Sequence, residues 1–511
     1  MKNMKQIKFV WALLLAVPIL AGNMGCTKFL DRKPLTATLG DLNQGGLEGQ
    51  IYGLYGGIRN PDIAGEGFSG IPWLAMHGFR SDDAMKGSSD ADGADWGVIY
   101  DNFQYVKDHW SSNTYYDQHY KLINLANVAL KTADSLGLSD AASLVNIGEA
   151  KFFRALAYFD LVRTYGQVRL ITIPITSAAQ VNSMPKSNEA AIYAQIDADL
   201  NAAEGALPPN WGNRFPGRLT SYAAKTLHAK TYLYRQQWAS ALALSQQVIT
   251  SGQYSLESNF SNIWKEAGEN GPESIFEIQA EIGPGGTNPL PSRIGIAQGI
   301  RGVDVWDLGW GWNTPTETLV NDGFETGDPR KPKTILFSGQ SDDPANGGYG
   351  RTLPPYPTLP RRYWNKKYYA DPAKQASTGE RQAAWMNHRV LRLSDVYLMA
   401  AEAANEIGGA ANEALAVEYL EKVRGRARTG ASGVLPAVSF VSQGQMRTAI
   451  QQERRAEFAM EGERFFDLVR WGLAPAVLGG QGYQPRHKYY PLPQPVIDAS
   501  NGALVQNPDY P

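Results

Sequence analysis

The sequence holds one cysteine, Cys26, so no intrachain disulfide framework can form. Its 48 lysines and arginines stand against 50 acids, a formal net charge of -2. That balance provides no basic footprint and excludes nucleic acid as a main partner. The six histidines, His77, His109, His119, His228, His388 and His487, are scattered without an HExxH pair, and no zinc site is expected. GxSxG, phosphate-loop and dinucleotide-binding signatures are missing as well, and with Cys26 committed elsewhere no thiol nucleophile remains. Beyond the first two dozen residues, no segment approaches the about 18 consecutive apolar residues that mark a membrane-spanning helix.

What is present begins at the amino end. Lys2, Lys5 and Lys8 precede the apolar run Phe9 to Ala21, a charged region followed by a stretch too short to span a bilayer permanently, which reads as an export signal over residues 1–25. The tetrad Asn23-Met24-Gly25-Cys26 is similar to a bacterial lipobox. Lipidation of Cys26 would then anchor the chain to a membrane, with residues 26–45 as a tether and 46–511 as the folded body. An aliphatic residue is usual where Asn23 stands, and ordinary cleavage near Ala21 is the alternative.

Within the body, apolar and small residues recur at helical spacing in paired stretches. Leu47 to Ile58 reads as a first helix, Asn113 to Leu136 and Leu144 to Tyr165 as a hairpin closed by Gly166, and Asn188 to Leu207 as a helix stopped by Pro208. Thr220 to Tyr234 and Trp238 to Thr250 carry large and small residues near the positions of a tetratricopeptide hairpin, and His388 to Ile407 with Asn412 to Ala427 forms a later pair. The expected fold is therefore mainly α. Helical hairpins build a scaffold over about 113–252 and 388–472, interrupted by a loop-rich region with short strands, of which Ser274 to Ala280 is one.

The irregular segments, about 60–110 and 254–385, hold most of the candidate ligand residues. A sugar ring presents an apolar CH face to indole or phenol, while its hydroxyls require Asp, Asn or Arg partners. Trp73, Arg80, Asp82, Trp96 and Asn102 in the first segment and Trp306, Trp310 and Trp312 in the second fit that requirement. Three tryptophans within seven glycine-flanked residues favour at least one exposed ring. The acids Asp82, Asp83, Asp90, Asp92 and Asp95 lack the spacing and closing Glu of an EF-hand, so solvated loop acids are expected, with a structural calcium as the alternative. No cofactor is expected.

The stretch Gln451 to Gly472 reads as one helix with Ile450, Phe458, Phe465, Leu468 and Val469 near one face. Glu453, Glu457 and Glu461 repel one another at four-residue spacing unless arginines oppose them. Arg454, Arg455, Arg464 and Arg470 are the local supply, which predicts an ion-pair clasp fixing this helix to the body rather than a catalytic carboxylate pair.

Four blocks, EAKFFRALAYFDLVRTYGQVRLI, GRLTSYAAKTLHAKTYLY, RLSDVYLMAAEAANEI with EKVRGRA, and ERRAEFAMEGERFFDLVRWG, together with the ending YYPLPQPVIDASNGALVQNPDY, resemble the SusD/RagB family of Bacteroidetes outer-membrane lipoproteins. Arg169 stands where that family usually has Pro. The resemblance implies about four tetratricopeptide-like hairpins, an irregular region bearing the ligand site, and a terminal strand and tail. It further implies a cell-surface glycan-binding lipoprotein without catalysis, which hands oligosaccharides to a SusC-like TonB-dependent transporter. The family's ligand residues lie outside these blocks, so the eight candidates rest on the aromatic-loop argument alone. Alternatives are a surface glycoside hydrolase using two carboxylates, or a helical scaffold that binds only protein.

Overall fold

The computed structural model describes residues 45–212, 215–287 and 289–510. The export segment and Cys26 lie outside the described residues. Among the described residues nine longer helices form the scaffold: α1 (Gly46–Arg59), α2 (Trp110–Ser135), α3 (Ala141–Tyr165), α4 (Glu189–Ala206), α5 (Ser221–Tyr234), α6 (Trp238–Ile249), α7 (Leu393–Ile407), α8 (Ala410–Ala427) and α9 (Gln443–Glu457). Their starts follow local capping chemistry. Asp140 accepts from the Ala142 and Ser143 amides, Asn188 from Ala191, Thr220 from Ala223 and Ser442 from Gln445, which satisfies amide groups a first turn leaves open.

Each scaffold helix packs on the next, α2 on α3, α3 on α4, α4 on α5 and α5 on α6. The insertion after α6 then leaves the stack and returns, so that α6 meets α7, α7 meets α8, and α9 closes on both. Alanines at the seams, among them Ala126, Ala150, Ala157, Ala224 and Ala400, are fully buried and let the helices approach closely. α3 ends at Gly166, whose φ of 71° favours glycine and whose absent side chain leaves room for the Tyr489 ring, 2.9 Å from where a Cβ would stand.

Among the described residues three antiparallel two-stranded ribbons tie the insertion to the scaffold and to itself: β1 (Ala84–Gly87) with β3 (Trp312–Pro315), β2 (Ser274–Ile278) with β6 (His388–Arg392), and β4 (Ile335–Phe337) with β5 (Tyr363–Asn365). The residues HRVLR, expected as the first turn of a helix, are instead β6. Five residues carry too little periodicity to choose between helix and strand, and their partner Ser274–Ile278 is distant in sequence. The expected terminal strand is also absent among the described residues. Pro491, Pro493 and Pro495 deny that segment its ladder donors, and it runs as an extended stretch with short helical turns at Pro485–Lys488 and Gln494–Asp498.

The stretch Gln451 to Gly472 is two helices, not one. α9 stops at Glu457, Met460 and Gly462 take φ of 68° and 81°, and a second helix runs Arg464–Arg470. A Cβ at Gly462 would stand 2.7 Å from the Trp73 ring and 2.9 Å from His77, so the break seats Trp73 against the turn.

The clasp forms, with a different supply of cations. Glu453 pairs with Arg330 and with Arg424 at 3.1 Å. Glu457 pairs with Arg392 at 2.6 Å, Arg330 at 3.2 Å and Arg426, and Glu461 with Lys367 at 2.6 Å and Arg392 at 2.8 Å. These cations come from α8, from β6 and from the insertion. The local arginines face other acids: Arg454 meets Asp395 and Asp467, Arg455 meets Asp82 and Asp83, Arg464 meets Asp82, and Arg470 meets Glu402 and Asp467. The three guanidiniums facing Glu457 outweigh the effect of its burial and hold its carboxyl well below the usual carboxylate range.

Candidate functional site

Gly87 and Trp312 are paired at one end of the β1–β3 ribbon, and two loops leave the ribbon there. One runs through Ser88 to Trp96 and the other arrives from Arg301 to Gly311. More than 200 residues separate them in the chain, yet the Ser88 amide donates to the Gly311 carbonyl at 2.5 Å. Trp96 and Trp312, nominated from separate segments, are in contact at 5.0 Å between ring centroids. Phe79 stacks on Trp312 from below at 6.1 Å.

Above this buried pair lies Trp110, at the start of α2. It packs edge-on against Trp96 at 5.3 Å and is 53% exposed. The rim is polar and paired. Arg301 donates to Ser88 Oγ at 2.9 Å and meets Asp92, and Arg361 donates to the Ser88 and Gly87 carbonyls at 2.7 and 3.0 Å and meets Asp90 at 2.8 Å. His109 lies 3.5 Å from Asp95, and burial moves its pKa down against the pull of that acid. Asp101 accepts from the Lys86 amide at 3.1 Å, and burial pushes its carboxyl up to about 7 against that hydrogen bond. An exposed indole, set on tryptophans against which a loop carrying Asp90, Asp92 and Asp95 packs, can bind a ring that is apolar on its face and polar at its edge.

The other nominated residues are dispersed. Trp306 lies in a separate cluster with Leu308, Leu353 and Leu359, covered by the Arg351 guanidinium at 4.0 Å. Trp310 is half-buried beside Arg293, which pairs with Glu66. Trp306, Trp310 and Trp312 thus belong to one loop without forming one platform. Asn102 is exposed at the end of the turn Gly97–Asp101.

Trp73, Arg80 and Asp82 face the interior. Trp73 stacks on His77 at 4.4 Å, Arg80 lies fully buried over the Phe465 ring at 4.1 Å, and Asp82 takes both Arg464 and Arg455. Asp82 and Asp83 are therefore not solvated loop acids, because the nearby arginines take them inside. Among the described residues no group of three or more His, Cys, Asp or Glu could hold a metal ion. Trp110, Arg301 and Arg361 escaped the eight nominations. Trp110 ends the irregular segment read as 60–110, before the helix expected from Asn113, and the structure makes it the first residue of α2; the arginines gain meaning only from ribbon pairing.

Comparison with known proteins bears on what this site serves. A family model described as "SusD family" matches residues 272–510, and a second, "Starch-binding associating with outer membrane", matches residues 75–233. The chain belongs to the SusD family. It is 28% identical over 434 residues to "SusD-like protein P2" of Formosa agariphila, covering 80% of this chain and 83% of that one. A SusD-like protein of Bacteroides ovatus is 26% identical over 381 residues, covering 69% and 64%. Among solved structures, a "Laminarin binding SusD-like protein" superposes with a TM-score of 0.73 at 29% identity over 91% of this chain and 99% of that one. A surface glycan-binding protein A of Bacteroides thetaiotaomicron, solved with laminarihexaose, shares the fold with a TM-score of 0.71 at 22% identity over 90% and 98%. SusD-like proteins are non-catalytic, glycan-binding and associated with the outer membrane at the cell surface. No catalytic residue is assigned, and the glycosidase alternative falls with that class.

Proposed function

We propose that this SusD-like chain captures a laminarin-type glucan at the cell surface and delivers it to a SusC-like TonB-dependent transporter. The observation that carries the reading is the exposed Trp110 ring packed on the Trp96–Trp312 pair, against which the loop bearing the Arg301–Asp92 and Arg361–Asp90 pairs also packs. Likeness to a laminarin-binding protein over nearly the whole chain supports the choice of glucan. Each guanidinium on the rim is matched by a carboxylate, which suits a neutral polysaccharide, because an anionic one would have to compete with those acids for the arginines.

The proposed site is the exposed Trp110 ring seated on the buried Trp96 and Trp312, with the arginines and acids of the neighbouring loops, and the dispersed Asn102, Trp306 and Trp310 are not part of it. It leaves out Trp73, Arg80 and Asp82, which the interior holds. Attachment is proposed through lipidated Cys26, with residues 26–45 as the tether. Affinity electrophoresis through gels containing laminarin, starch or alginate tests the ligand. Retardation by laminarin and free passage through alginate is expected, and free passage through all three refutes glycan capture. Co-purification of a transporter barrel with the full-length chain from outer membranes is expected, and its absence refutes delivery.

A further inference from the structure

The loop that covers the buried tryptophan pair is built around a lysine. Lys86, in β1, is buried, and its ammonium turns back into the loop and donates to the carbonyls of Gly87 at 3.3 Å, Ser89 at 3.0 Å and Asp92 at 3.0 Å. It also lies 5.8 Å from the centre of the Trp312 ring. Three converging carbonyls are the donor set with which a loop commonly holds a metal or potassium ion, and here the ammonium occupies that position.

The backbone around it is bent into conformations that need such a tie. Gly87, Ser88 and Gly93 take φ of 77°, 52° and 58°, and Ser88 in the left-handed region is strained. A Cβ at Gly93 would stand 2.7 Å from the Trp312 ring and 2.8 Å from Trp96, so the loop backbone lies directly on both indoles. Asp90 and Asp92, which hold Arg361 and Arg301, are carried by this same loop.

We infer that Lys86 is a positioning residue, an internal cation that folds residues 87–93 onto Trp96 and Trp312 and so fixes the Asp90 and Asp92 rim of the ligand site. It acts through the loop and not by touching the glycan. The ligand half of this inference rests on the proposed glycan site. The loop half does not.

Two variants separate the cation from the bulk of the side chain. Lys86→Met keeps the stem that packs beside Gly97 and removes the charge, whereas Lys86→Ala also opens a space among the carbonyls. Hydrogen exchange of the segment 86–96, measured without ligand, is expected to quicken at least tenfold in both. Added ammonium chloride should restore protection in the Ala variant alone, and tetramethylammonium, too large for the space, in neither. Laminarin affinity should fall at least tenfold in both variants, with recovery by ammonium only in Lys86→Ala. Unchanged exchange in Lys86→Met, which retains the packing, overturns the inference. So does an Ala variant whose protection tetramethylammonium restores as well as ammonium does. If the parent protein binds no glycan while ammonium rescue of exchange holds, the glycan reading fails and the internal cation stands.

Discussion

Replacing Glu457 by Gln keeps the shape of the side chain and removes the charge on which the clasp converges. The parent carboxylate is fully buried, with Arg392 at 2.6 Å and Arg330 at 3.2 Å, and Arg426 also pairs with it. Arg392 and Arg426 retain Glu273 at 2.8 Å each, and Arg330 retains Asp328 at 2.8 Å. The variant is therefore left with surplus positive charge and an amide whose NH2 points at other donors. Removing one partner from a buried ion network costs about 3–5 kcal/mol.

A contrasting pair fixes the scale. Lys131 and Asp134 are 2.9 Å apart with side chains 60% and 75% exposed, and Asp134→Asn should change stability by less than about 0.5 kcal/mol because solvent screens such pairs. Spread over an unfolding entropy of about 2 cal/mol/K per residue for about 460 residues, the Glu457→Gln loss corresponds to a melting-temperature fall of roughly 3–5 °C.

The pH dependence has a definite sign. The folded carboxyl is depressed below its unfolded value of 4.5, so its contribution is fully present above that value and is lost as pH falls toward the depressed one. Differential scanning calorimetry at pH 7 and pH 4 reads both effects. A melting shift at pH 7 no larger than that of Asp134→Asn, or a gap that widens on acidification, refutes the clasp argument.

Arg464→Ala removes one of the two arginines on Asp82, at 2.8 Å, before the end of β1 remote from Trp312, and should lower the melting temperature while leaving the laminarin affinity of the folded protein unchanged, as calorimetry would show. Gly462→Ala places a methyl 2.7 Å from the Trp73 ring at a φ of 81°, and urea unfolding should show a loss of about 1–3 kcal/mol. Asp101, raised to about 7 by burial, favours the folded state most strongly below its unfolded value of 3.8 and loses that contribution as pH rises through about 7. The stability of Asp101→Asn relative to the parent should accordingly rise between pH 4 and pH 8 and level off above it, as denaturant midpoints would show.

The scaffold was legible in the sequence because long helices declare themselves. Asn188, Thr220 and Gly166 cap their helices where periodicity begins or ends, and alanine seams identify the packed faces. Elements fixed by distant partners were not legible. HRVLR is a strand only because SIFEI lies beside it, and the turn that splits Gln451 to Gly472 is set by the Trp73 ring meeting Gly462. The glutamate ladder announced its need for cations, but helical spacing says nothing of Arg330, Arg392 or Arg426, which arrive from the insertion, β6 and α8. For the site, residue type alone nominated Trp73 and Trp312 equally with Trp96. Only ribbon pairing shows that Trp96 and Trp312 meet, and only the packing of α2 shows that the exposed ring of that group is Trp110.

The central claim, that Trp110 is the glycan platform, is tested most directly by isothermal titration calorimetry of a laminarin oligosaccharide into the parent protein and Trp110→Ala. The ring is half-exposed at the surface, so its removal should leave the melting temperature within about 1 °C, as expected of a surface substitution. The prediction is saturable heat with the parent and at least a tenfold weaker affinity, about 1.4 kcal/mol, in the variant. Equal affinity in the two proteins would contradict it.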